Sequence, residues 1–78
     1  MTLRDRLAGV FVTALELPPS SDVQHLRQWT DPEWDSMGHA ALVTAIEGEF
    51  GVELDPDDVV AVDSFEAAVG VLERLGAA

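Results

Sequence analysis

The chain contains no cysteine, which excludes a disulfide framework and a thiolate metal site and is compatible with the cytosol. It contains no lysine either. Its only fixed cations are four arginines, set against fifteen aspartates and glutamates for a net charge of −11. A surface so short of positive charge repels phosphate backbones, so nucleic-acid binding is disfavoured from the outset. No apolar run approaches the ~20 residues needed to span a bilayer, and Met1-Thr2-Leu3-Arg4-Asp5-Arg6 lacks the apolar core of a signal peptide. The expectation is a soluble, cytoplasmic monomer with no membrane partner. No stretch alternates as a strand does and no internal repeat is present, which leaves helices as the structural material.

What is there reads as one all-α domain over residues 1–78, a small bundle of three longer helices and one short one. A chain of this length buries a modest core, so helices packed together are favoured over a large pocket. Thr2-Leu3-Arg4-Asp5 has the form of a capping box. It opens a helix in which Leu3, Leu7, Val10, Ala14 and Leu17 recur at spacings of four and three, ending before Pro18-Pro19. Residues 18 to 35 form a long connection, and Val23, Leu26 and Trp29 are expected to pin it to the bundle.

A second helix is expected from Ser36 to about Phe50, closed by Gly51 at the left-handed position. Asp55 and Pro56 then cap and open a short third helix through about Ala61. Asp63-Ser64-Phe65-Glu66 reads as another capping box, starting a last helix with Phe65, Ala68, Val69, Leu72 and Leu75 inward and a frayed tail at Gly76-Ala77-Ala78.

The acidic charge is concentrated. Between Asp31 and Glu66 there are eleven acidic residues and no arginine. The natural complement of such a surface is a basic patch on another protein, which speeds encounter and sets orientation more than it adds affinity.

Within that acidic half lies Glu33-Trp34-Asp35-Ser36-Met37-Gly38-His39. Asp35 is suited to the N-cap, since its carboxylate can accept a hydrogen bond from the first turn, and this leaves Ser36 at the first helical position. Leu42, Val43, Ile46 and Phe50 fall on one side of the helix; Met37, Ala40, Ala41, Thr44 and Gly48 fall on the other, with Ser36 at its edge. A phosphate ester on that hydroxyl would lie near free backbone N–H groups and the positive end of the helix dipole. The position suits a phosphodiester.

Asp35-Ser36-Met37 resembles the Asp-Ser-Leu motif of acyl carrier proteins, in which the serine is esterified with 4′-phosphopantetheine from coenzyme A. The order that follows is similar to the family pattern as far as about Gly76: Leu42, Ile46, Glu47, Glu49, Phe50, Gly51, Val52, Leu54, Pro56-Asp57-Asp58, Val62, Phe65, Ala68, Val69 and Leu72. The resemblance implies a carrier without a reaction centre of its own, not an enzyme. A phosphopantetheinyl transferase would install the arm on Ser36, between Asp35 and Met37, and the arm would hold cargo as a thioester.

It also implies a docking face of Met37, Ala40, Ala41, Thr44, Glu47 and Gly48, met by basic patches on acyl-loading and acyl-transfer enzymes. Asp31, Glu33, Asp35, Glu53, Asp57 and Asp58 would complete its anionic rim. Family members of the fatty-acid type often carry a glycine where Trp34 stands and an acid where Ala41 stands. Those departures imply a discrete carrier of specialised, polyketide-like or antibiotic metabolism holding a small acyl, glyceryl or aminoacyl group, with D-alanyl and fatty-acid carriers as alternatives. Trp34 either covers the top of the bundle or touches the arm, and burial is the usual fate of an indole.

The other chemistries are weaker. Asp35, Ser36 and His39 have the residue types of a hydrolase triad, but the chain has no Gly-x-Ser-x-Gly elbow and the acid caps the helix instead of orienting the histidine. His39 is expected to pack at the upper edge of the bundle, bonded to the loop. His25 and His39 fall in no ligand spacing, and the run Asp55 to Asp58 lacks the glycine and glutamate of a calcium loop. An acidic interaction module with an unmodified serine is the alternative from another class.

Overall fold

The computed structural model describes residues 1–77. Among the described residues are four α-helices and no strand: α1 Leu3–Ala14, α2 Ser36–Phe50, α3 Pro56–Ala61 and α4 Phe65–Arg74, with a 3₁₀ turn at Val23–His25. Each α-helix begins at a residue whose side chain accepts a first-turn N–H: Thr2, Asp35, Asp55 and Ser64. At α1 the box is complete. Asp5 N–H donates to Thr2 Oγ1 at 3.1 Å while Thr2 N–H donates to the Asp5 carboxylate at 3.2 Å. That backbone donor, followed by the bond with the Thr2 side chain, holds the Asp5 carboxyl below the usual range.

The last helix starts one residue later than its sequence suggests. Ser64, not Asp63, takes the N–H of Ala67. Glu66 does not close a box but pairs with Arg4, whose guanidinium is the first cause of a lowered Glu66 carboxyl. The carboxylate in turn raises the guanidinium above its ordinary value.

The first helix ends three residues short of the expected Leu17 because Glu16 takes a left-handed conformation, φ 55°. Leu17 N–H reaches Val12 O at 2.9 Å and Glu16 N–H reaches Thr13 O at 3.3 Å, the paired bonds of a Schellman turn. Gly76, φ 78°, closes α4 in the same way, with Ala77 N–H on Leu72 O at 2.9 Å. The chain through Ala77 is therefore ordered by hydrogen bonds where fraying was expected; Ala78 lies outside the described residues. Gly51, φ 64°, ends α2 as foreseen.

The apolar side chains converge on one cluster in which Phe11 is central. Its ring stands edge-on to Trp34 at 5.2 Å and to Phe65 at 5.4 Å, joining α1, the long connection and α4. The connection is tied down by buried Val23, by Gln28 N–H on Asp63 O at 3.1 Å and by Trp34. Trp29 is not one of its pins. It is 72% exposed, with φ 72°. The reason is local: Thr30 N–H bonds Arg27 O, and the third residue of that turn is rotated outward.

Candidate functional site

Ser36 lies at the first position of α2 and is exposed. Asp35 precedes it with extended backbone, and its carboxylate accepts the Gly38 N–H at 2.8 Å. The first helical bond runs from His39 N–H to Asp35 O at 2.8 Å. The N–H groups of Ser36 and Met37 precede that bond and lie at the positive end of a 15-residue helix. A covalent phosphate on this exposed hydroxyl would lie at the helix end that carries these two backbone donors, so the position fits a phosphodiester-linked group.

What fixes this tip is a relay that crosses three elements. Trp34, fully buried, donates its indole N–H to His39 Nδ1 at 2.9 Å. Because Nδ1 accepts, Nε2 carries the ring proton and donates to Val59 O at 2.9 Å. Both ring nitrogens of His39 are thus engaged away from Ser36, which removes a general base from the hydrolase constellation. The burial of Trp34 likewise selects the packing role and leaves its indole out of reach of any attached arm.

Gly38 is the second fixed point, and sequence reasoning passed over it. A Cβ there would stand 2.7 Å from Glu33 O and 3.0 Å from Leu15 Cδ2. The close crossing of the loop over the first turn of α2 therefore requires glycine. A glycine in the first turn after the Asp35 cap was the signal available. Gly48 is different: nothing lies within 4 Å of the corresponding point.

The remaining expected residues divide. Met37, Ala40, Ala41, Thr44 and Gly48 are all exposed on α2, with Met37 at 82%. Glu47 is half-buried, and its carboxylate accepts the Leu54 N–H at 2.8 Å, so it braces the loop after α2 before it meets anything else. Glu33, Asp35, Glu53 and Asp57 are exposed as an anionic rim would need. Asp31 is half-buried and accepts the Arg27 N–H at 2.7 Å.

Asp58 does not belong to the rim. It is buried, 4% exposed, and paired with Arg74, because the third residue of a short helix packed on α4 faces inward. A shallow groove of about 420 Å³ lies beside Met37, lined by Leu15, Pro32, Gly38 and Ala41 with Glu16, Glu33 and Asp35 at its edge. Among the described residues no group of three or more His, Asp or Glu is placed to hold a metal, and no helix is long and apolar enough to cross a membrane.

Comparison of the chain with family models, with curated proteins and with solved structures returned no match.

Proposed function

We propose that the chain is an acyl carrier protein whose Ser36 takes a 4′-phosphopantetheine arm. The observation that carries this reading is the exposed hydroxyl at the first residue of α2, held between an N-cap aspartate and a glycine that the packing requires. When attached, the arm would supply a terminal thiol able to hold an acyl, glyceryl or aminoacyl group as a thioester.

The chain's own residues do the presenting. Asp35 spends its carboxylate on the helix cap, and the Trp34–His39–Val59 relay keeps the loop from collapsing over Ser36. The two N–H groups at the helix tip favour the monoanionic phosphodiester linking the arm. Ala40, Ala41, Thr44 and Gly48 leave a low, small-residue face beside the exposed Met37, on which a partner can come close to the serine. With Ala41 in place of an acid, docking leans on apolar contact there and on Glu33, Glu53 and Asp57 at the rim. The Trp34 and Ala41 positions favour a discrete carrier of a specialised, polyketide-like pathway, cytoplasmic and served by basic-patched enzymes.

Intact-mass measurement after incubation with coenzyme A and a promiscuous phosphopantetheinyl transferase tests the reading. The wild-type chain gains one arm and Ser36→Ala gains none. An unchanged wild-type mass leaves an acidic interaction module in its place.

A further inference from the structure

The large exposed apolar side chains of the described residues are Met1, Trp29, Met37 and Val60. Apart from Met1, each sits on an element that the Trp34–His39–Val59 relay joins. Trp29 N–H donates to Trp34 O at 3.3 Å, Met37 lies two residues before His39, and Val60 follows Val59, whose carbonyl takes the His39 proton. The relay thus joins the three elements that carry these residues: the connection, α2 and α3.

The turn at Arg27–Thr30 explains the exposure of Trp29 but does not call for a tryptophan. Its backbone sits at φ 72°, a region glycine takes freely and a bulky residue does not, and its indole remains 72% exposed. Glu16, also at positive φ, at least closes a helix. The turn carrying Trp29 is held on both sides, by Gln28 N–H on Asp63 O and by the bond to Trp34. An aromatic side chain therefore stands on a backbone position that favours glycine, with little burial in return.

We propose that Trp29 is a docking residue on the loop side of Ser36 for the enzyme that installs the arm, its indole entering an apolar pocket with a basic rim. The proposal rests on the carrier reading. An enzyme that binds coenzyme A holds a polyanion and needs cations about its mouth. The loop meets such a mouth with Glu33 and Asp35, while the one arginine beside Trp29, Arg27, turns its guanidinium onto Gln24 O and Leu26 O. Tryptophan is the side chain most enriched at the centres of protein contacts, where a rigid indole loses little entropy on burial.

The test is the rate of arm transfer from coenzyme A by a purified phosphopantetheinyl transferase, followed by intact mass against carrier concentration, for wild type, Trp29→Gly and Trp29→Phe. Thermal unfolding of each variant is measured alongside. Trp29→Gly melts at or above the wild-type temperature, since glycine adopts this φ without strain. Its KM for the carrier rises about tenfold with kcat unchanged, and Trp29→Phe recovers most of the loss. A wild-type KM in Trp29→Gly overturns the proposal while leaving the carrier reading intact. A lower melting temperature in Trp29→Gly makes the indole structural and overturns it as well. A wild-type chain that takes no arm removes both.

Discussion

The indole N–H of Trp34 and the Nδ1 of His39 lie 2.9 Å apart inside the bundle, five residues apart in sequence and on different elements. Their rings stack at 6.1 Å. The bond decides the histidine tautomer, and the tautomer decides that α3, through Val59 O, is bound to the same point as the loop. A single imidazole therefore holds three elements around Ser36.

Removing that imidazole leaves the Trp34 N–H and the Val59 carbonyl without partners. His39→Ala is expected to lower stability by about 2 kcal/mol and Trp34→Phe by about 1–2 kcal/mol, read from urea unfolding. Because each change breaks the same bond, the double variant loses less than the sum, with a coupling of about 1 kcal/mol. Strict additivity would show that the two rings do not act through each other.

The two glycines of α2 respond oppositely to alanine. Gly48→Ala meets open space in a helix and gains about 1 kcal/mol in stability. Gly38→Ala drives a Cβ against Glu33 O, a backbone atom, and loses about 1–3 kcal/mol as the loop is pushed off the helix. Paired melting curves suffice to compare them.

At the end of α1 the left-handed residue is a glutamate, φ 55°, where glycine is the usual choice. Glu16→Gly relieves the Cβ conflict and removes one of fifteen acidic charges, so denaturant unfolding shifts to higher midpoint by roughly 1 kcal/mol. A destabilised variant would mean that Glu16 makes a contact worth more than its strain.

Acid acts on the Arg4–Glu66 pair with a defined sign. The Glu66 carboxyl is lowered from 4.5, so its contribution to stability is present above that value and disappears as pH falls through the folded-state value beneath it. Glu66→Gln is therefore less stable than wild type at pH 7, and the gap closes below about pH 4.5. The same direction holds for Asp5 in its capping box. Melting temperatures of both chains across pH 3 to 7 read the gap directly, and because both are highly exposed pairs it is small.

Much of the bundle is local chemistry and is written in the chain. Thr2, Asp35 and Asp55 cap the helices they precede, Pro56 opens α3 and Gly51 closes α2, because each acts through bonds only a few residues long. The inward residues Leu7, Val10, Leu42, Ile46, Phe65 and Leu72 follow from helical spacing. For the same reason the exposed start of α2 at Ser36 was legible before any coordinate.

Other features depend on which segments meet. Nothing in the spacing of Trp29 and Trp34 says that one is buried and the other exposed; the turn at Arg27–Thr30 and the docking of the loop on Phe11 decide it. Asp58 and Glu47 read as surface charge, yet packing gives one to Arg74 and the other to Leu54 N–H. Gly38 reads as a weak helix former until Glu33 O crosses it. The sequence by itself thus determined the helices and the serine at the tip of one of them, since caps and periodicity are short-range. Only the tertiary structure decided how rigidly that tip is held and which side chains stand round it, because those bonds join residues that the chain alone does not bring together.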